Sequence, residues 1–347
     1  INDKTISDVI QISEGVYTPL TGFMCIKEIE SVLSNNKLLT DDSWTLPIIL
    51  QITQSDVANL PSKGEIILKD SKNGEAVGVL DIQSVEKFNP GDFIKSWFGT
   101  DDENHPGVKE TINKGNYIVS GKTFLFNSYR QQTKKHHEYS PKQTREIFYH
   151  NGWYNIVGFH TRNIPHTGHE YIQIKALDLS NSDAILLSPV TGIKKSGDFS
   201  SDVIIACYQK LIKQGIYNPK GALLSGFNTY SRYAGPREAI FTAICRKNFG
   251  CNSFIIGRDH TGVGDFYLPN ASQKIFDRID LDMNILLFET VSYCTKRNIV
   301  TDDFKDPLYK EHRHEISATD IRDHLRKLEK IPSYLIRSEL SQFLSET

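Results

Sequence analysis

The sequence predicts an α/β fold in two parts, a β-rich first part followed by a part in which strands and helices alternate. Three observations carry this expectation. Within the first 150 residues, "PIILQIT", "EIILKD" and "AVGVLDIQSVEKF" read as short strands separated by Gly, Pro, Asn and Asp. From residue 154 the pattern changes, and "YNIVGF", "AILLSPV", "ALLSGF", "SFIIGR" and "NILLFE" recur as continuous apolar runs. Such runs suit strands buried on both faces of a parallel sheet. Between them lie helical patterns, "TGHEYIQIKALDL", "SDVIIACYQKLIKQG" and "GPREAIFTAICRKNFG". Strand–helix alternation of this kind predicts a Rossmann-like parallel sheet, whose ligands sit beyond the carboxyl ends of the strands.

Each element has a local reason. The segment "YSPKQTREIFYHNGW" (139–153) reads as a short helix with Pro near its start, leading into the second part. In "GPREAIFTAICRKNFG", Ala239, Ile240, Ala243 and Ile244 fall at helical spacing, and Gly250 suits the position just past the helix end. The tail reads as polar and helical, with "ISATDIRDHLRKLEK" as its clearest helix. These patterns divide the chain into a β-rich domain over 1–150, a parallel-sheet domain over 151–295 and a small C-terminal helical subdomain over 296–347.

Composition narrows the function classes. The 347 residues carry 40 Lys and Arg against 42 Asp and Glu, a formal net charge of −2. No overall basic character points to nucleic acid or an anionic membrane, so any anion site must be local. The five cysteines are odd in number and form no CxxC pair, which fits a reducing cytoplasm better than a disulfide framework. No apolar run approaches the ~18 residues that span a bilayer. The chain opens on Ile rather than Met, which fits a part of a longer polypeptide. His136 and His137 follow "TKK" and read as a solvated face, while His105 in "HPGV" reads as structural.

The densest chemistry is "GFHTRNIPHTGH" (158–169). A strand precedes it and a helix follows. His166 and His169, three apart at a helix start, share one face. The free N–H groups of that helix end favour an anion. Gly168 lets a ligand approach the backbone, and Arg162 offers a planar fork suited to oxyanions. Together these parts would cradle a phosphate and stabilise charge growing on it. The two histidines lack a nearby third ligand, so no metal site is expected.

The HxGH pattern opening the first helix, with "ISATDIR" (316–322) near the C-terminus, resembles the nucleotidylyltransferase superfamily. The resemblance narrows further to the ATP sulfurylase, or sulfate adenylyltransferase, family. "TRNIPHTGHE", "LLSPVTGIKKSGD" (186–198) and "RYAGPREAIFTAICRKNFGCNSFIIGRDHTGVGDFY" (232–267) are similar to its signatures. In the first part, "GVYTPLTGFM" (15–24) and "WFGTDDENHPGV" (97–108) are similar to others. The resemblance implies a PUA-like N-terminal β domain, a Rossmann-like catalytic domain and a small C-terminal subdomain.

It also implies a reaction, in which sulfate attacks the α-phosphorus of MgATP to give adenylyl sulfate and pyrophosphate. Arg162, His166, His169 and Arg258 would carry the catalysis. Thr161, Asn163, Gly168, Gly257, Asp259, His260, Ile316, Ser317 and Arg322 would bind the nucleotide. His160, Arg162, Thr261 and Lys195 would meet the acceptor. Mg²⁺ would arrive with ATP. A homo-oligomer and a fused or associated adenylyl-sulfate kinase are the further partners implied, although no P-loop GxxxxGK[ST] occurs in the chain.

The chain departs from the family pattern chiefly on the acceptor side. Where the family has Gln before "TRN", this chain has His160. The Ala of "GRDHA" is Thr261, the first His of "HPxxG" is Ser188, and the Met before "RYAGPRE" is Ser231. Some family members carry a zinc site; here Arg297 stands where its second Cys would be, so no structural zinc is expected. Two alternatives therefore stand beside sulfate activation: nucleotidyl transfer to another oxyanion or phosphorylated acceptor, and a non-catalytic nucleotide-binding protein.

Overall fold

The computed structural model describes residues 1–346 apart from 136, 195, 196, 259, 304–306 and 308–310. The chain forms two compact units that interleave along the sequence. One comprises 1–147, 228–250 and 259–283; the other comprises 148–227, 251–258 and 284–347. Boundaries at 150 and 295 follow the chain order, whereas the units regroup the helix Pro236–Phe249 with the N-terminal segment and the whole tail with the parallel strands.

In the first unit, β1 (Gly22–Phe23), β2 (Leu50–Ile52), β3 (Gly64–Lys69), β4 (Ala76–Lys87) and β5 (Tyr117–Leu125) form an antiparallel sheet. Its path runs β1-β5-β4-β3, with β2 also paired to β5. Three longer helices, Asp3–Ser13, Ile26–Asn35 and Pro106–Asn113, accompany the sheet of this β-rich part. In the second of them the buried Ile29, Val32 and Leu33 fall at helical spacing. Tyr17, Trp44 and Phe241 meet edge to face, with ring centroids 5.0–6.2 Å apart. Beside them Arg232 is buried against the Asp8 carboxylate and lies 4.4 Å from the Tyr230 ring centre.

In the second unit, β6 (Ile156–Thr161), β7 (Ala184–Pro189), β8 (Gly221–Leu224), β9 (Ser253–Gly257) and β10 (Asn284–Phe288) form one sheet in the order β10-β9-β6-β7-β8. Every pairing is parallel, as the continuous apolar runs predict. The chain leaves β6 towards β7 and β8, then returns to its other side with β9 and β10. β6 is therefore the topological switch point, and a ligand is expected beyond its carboxyl end. The core is built by Val157, Ile185, Leu187 and Ile255 with Tyr208 and Leu211 of the helix Ser201–Lys213. Ile321, Leu335 and Leu340 of the tail join the same core.

The tail is not wholly helical. β11 (Ser292–Cys294), β12 (Ile299–Thr301) and β13 (Arg313–Glu315) form a small antiparallel sheet in the order β12-β11-β13. Strands of three residues are too short to show a period, so the sequence pattern misses them. The helices Ala318–Arg326 and Ser338–Ser345 follow. Cys294 is fully buried, and His137 is buried rather than solvated; His136 lies outside the described residues. No helix among the described residues is long and apolar enough to cross a membrane.

Candidate active site

The carboxyl end of β6 supplies His160 and Thr161, then Arg162 and Asn163 in the turn that follows. The Thr161 hydroxyl accepts the Asn163 N–H at 3.1 Å, which closes this turn tightly. Arg162 is solvent-exposed, whereas Ile164 beneath it is fully buried and anchors the turn to the core. The helix Thr167–Leu179 then begins. His166 is its N-cap, and its Nδ1 accepts the His169 N–H at 3.1 Å. That hydrogen bond places the imidazole proton on Nε2, where it can donate outward.

His166 and His169 stack with ring centroids 3.6 Å apart and planes inclined by 20°. The Phe159 ring meets His169 edge-on at 5.2 Å. Burial holds the His166 imidazole well below the usual histidine range, and the adjacent His169 pushes it the same way. Burial likewise pushes His169 down to about 4. At neutral pH both rings are therefore neutral hydrogen-bond donors. The fixed positive charge at this end of β6 is the Arg162 guanidinium.

The first turn of the helix has few unengaged donors. The Thr167 N–H donates to Leu335 O, that of His169 to the His166 ring, and that of Glu170 to His166 O. The Gly168 N–H has no partner among the described residues. A side chain there would be tight. A Cβ would lie 3.2 Å from His166 Nδ1 and 3.6 Å from the Ile316 side chain. The "ISATDIR" segment thus comes up against the "HTGH" turn. Ser317 caps the helix Ala318–Arg326, accepting the Asp320 N–H at 3.1 Å. Arg322 lies 3.7 Å from Asp198, the last residue of "KKSGD", and donates to the Thr319 hydroxyl at 3.1 Å.

On the neighbouring strand Ser188 pairs in register with His160, and Pro189 with Thr161. Two of the acceptor-side departures are therefore side by side. The His160 ring also faces Phe227 at 6.3 Å. β9 pairs with β6 on its other side and ends at Gly257, where a Cβ would meet nothing within 4 Å; Arg258 follows, half-buried.

The remaining expected residues lie in the first unit or outside the description. His260 is pushed down to about 3 by burial and, next, by the Arg246 charge. Its Nε2 lies 3.0 Å from the Thr242 hydroxyl. Thr242 donates its own proton to Ala239 O at 2.8 Å, so His260 is the donor in that pair. Thr261 is left-handed, with φ +58°, and its hydroxyl lies 2.7 Å from Gly235 O. Lys195 and Asp259 lie outside the described residues. Among the described residues no group of three His, Cys, Asp or Glu could hold a metal ion.

Sequence reasoning passed over two supporting residues. Glu170, buried next to the HTGH turn, forms an ion pair with Arg337, and Thr242 orients His260. Both stand in helical patterns where a polar side chain reads as surface, so only their burial distinguishes them.

The ATP-sulfurylase family profile matches residues 135–347, and a PUA-like domain profile matches residues 1–128. A sulfate adenylyltransferase of Cenarchaeum symbiosum is 35% identical over 347 residues, covering 100% of this chain and 90% of that protein. One of Pyrococcus abyssi is 36% identical over 339 residues, covering 97% and 87%. Among solved structures, the hexameric APS kinase from Thiobacillus denitrificans superposes with a TM-score of 0.73 at 18% identity. That likeness covers all of this chain and 62% of that one, and it concerns the fold alone. By family profile and by relatives matched along its whole length, the chain belongs to the ATP-sulfurylase family and is a nucleotidyltransferase.

Proposed function

We propose that the protein is a sulfate adenylyltransferase, transferring AMP from MgATP to sulfate with release of pyrophosphate. One observation carries the reading most. At the carboxyl end of the switch-point strand, a helix N-terminus presents an unengaged Gly168 N–H beside two stacked, neutral imidazoles and the exposed Arg162. A dianion attacking a polyanionic nucleotide faces strong repulsion, and this arrangement answers it with oriented donors and a fixed cation. Arg162 bridges the acceptor and the α-phosphate. His166 donates from Nε2 to the phosphates, and His169 supports the same oxygens as charge builds on the pentavalent phosphorus. Thr161, Asn163, Gly168, Ile316, Ser317 and Arg322 shape the nucleotide side. Arg258, with Gly257, Asp259 and His260, takes further phosphate contacts, and His160, Thr261 and Lys195 receive the acceptor.

No protein nucleophile is required, because positioning and electrostatics suffice for in-line phosphoryl chemistry. Magnesium is the counter-ion of ATP, neutralising its phosphates as it binds with the nucleotide. The described protein residues form no cage for it, and no step is assigned to it. A homo-oligomer, with an adenylyl-sulfate kinase as a neighbouring activity, fits the same reading.

The test is pyrophosphate release from MgATP with sulfate, molybdate and a panel of other oxyanions. Release with sulfate and with molybdate supports the reading. Release only with another acceptor would move the activity to a different nucleotidyl transfer. Tight nucleotide binding without release would favour a binding protein.

A further inference from the structure

The segment after β9 is fastened in an unusual way. Thr261 is a β-branched residue held at φ +58°, a conformation that β-branched side chains adopt only under constraint. Its hydroxyl lies 2.7 Å from Gly235 O and 2.6 Å from the His260 carbonyl, so one proton serves both. The partner segment is constrained as well. Tyr233 and Gly235 have φ of +61° and +49°. A Cβ on Gly235 would lie 2.5–2.6 Å from the Tyr267 ring. The Glu238 carboxylate accepts the N–H groups of Arg232 and Ala234, at 2.9 and 3.1 Å.

Side-chain hydrogen bonds join the two segments. They run from Thr261 to Gly235 O, from His260 to Thr242, and from the Tyr267 hydroxyl to Tyr233 O at 2.8 Å. Meanwhile the N–H group of Thr261 has no acceptor among the described residues. An amide left open in this way beside a left-handed turn suits an anion. It keeps its direction only while the clasp holds.

We propose that Thr261 is a positioning residue whose hydroxyl, through Gly235 O, fixes the direction of its own backbone amide and so sets acceptor affinity. This rests on the place among the acceptor-binding residues given to Thr261 under the proposed function. An alanine here would keep the amide and lose the fastening.

The test is steady-state pyrophosphate release by the full chain and its Thr261→Ala, Thr261→Ser and Thr261→Val variants, varying sulfate and ATP separately. The expected result for Thr261→Ala and Thr261→Val is a rise in KM for sulfate of about five- to tenfold, the worth of one oriented hydrogen bond. Their KM for ATP should stay within about twofold, and Thr261→Ser should restore the KM for sulfate. Unchanged sulfate KM in Thr261→Ala overturns the clasp while leaving sulfate activation standing. A parallel rise in both KM values with a lowered Tm makes the contact merely structural and also overturns it. No response of the unaltered chain to sulfate or molybdate overturns the clasp and the sulfate reading together.

Discussion

The turn at residues 166–169 and the loop at residues 260–264 each present a backbone N–H group without an acceptor among the described residues, but they are held by different forces. The Gly168 amide is aimed by a helix of 13 residues, whose Ile172 and Ala176 are held in the same core as Ile164 just before it. The Thr261 amide is aimed by its hydroxyl bond to Gly235 O and by the bond of the adjacent His260 imidazole to Thr242 in the helix Pro236–Phe249. Apolar packing averages over many contacts, so the first arrangement tolerates the loss of one polar side chain. A few side-chain hydrogen bonds have no such reserve, and the second arrangement can be retuned by one substitution. "TRN" and "HTGH" keep the family pattern, whereas Thr261 in the clasped loop departs from it, as do His160 and Ser188 at the ends of β6 and β7.

This contrast can be broken most sharply at the helix end. Asparagine is a strong N-cap, so His166→Asn keeps the cap and removes the imidazole. With the buried, stacked ring lost, unfolding stability should fall by only about 1 kcal/mol while kcat falls roughly 10²–10³-fold, the usual cost of a lost transition-state donor. Arg162→Ala should lose a similar factor in kcat/KM with no change in Tm, because Arg162 is exposed. A large drop in Tm with either variant would show that these side chains hold the turn rather than act from it.

Acid should separate the rings from ordinary surface histidines. His169 is held at about 4 and His260 at about 3, with His166 shifted the same way, against 6.5 unperturbed. In the unfolded chain these groups bind protons from about pH 6.5 downward, while the folded chain resists until near pH 4 or below. The unfolded state thus holds more protons in that window, and stability falls as pH falls through it. His169 alone accounts for about 3 kcal/mol of this loss. Urea unfolding between pH 7 and 4 should show a shallower decline in His169→Asn than in the parent. An identical decline would place the titration elsewhere.

Smaller effects come from the supporting contacts. Gly168→Ala puts a Cβ 3.2 Å from His166 Nδ1, and kcat should fall about tenfold as the ring shifts. Arg322 is partly screened and shared with Asp198 and Thr319, so Arg322→Ala should raise the KM for ATP only about threefold to tenfold.

How far the sequence reveals this depends on the force involved. The five parallel strands and their helices are legible because continuous apolar runs and 3.6-residue spacing are what packing requires, as Ala239, Ile240, Ala243 and Ile244, all buried, illustrate. The HTGH turn is legible because its chemistry lies in contiguous residues. The regrouping of Pro236–Phe249 with the first unit is not, because its aromatic contacts to Tyr17 and Trp44 join residues about 200 apart along the chain. The neutrality of the two histidines is equally hidden. Composition shows proton-active groups, and only burial decides their charge. The clasp at Thr261 depends on φ angles that the letters do not carry.

The central claim is that sulfate itself attacks the nucleotide's α-phosphorus at this site. The most direct measurement supplies radiolabelled sulfate and MgATP to the full chain, with pyrophosphatase to draw the reaction forward. The account predicts that label passes into a species co-migrating with adenylyl sulfate, one for each pyrophosphate released, and that His166→Asn slows its formation roughly 10²–10³-fold. Pyrophosphate release with no label transferred would contradict the account.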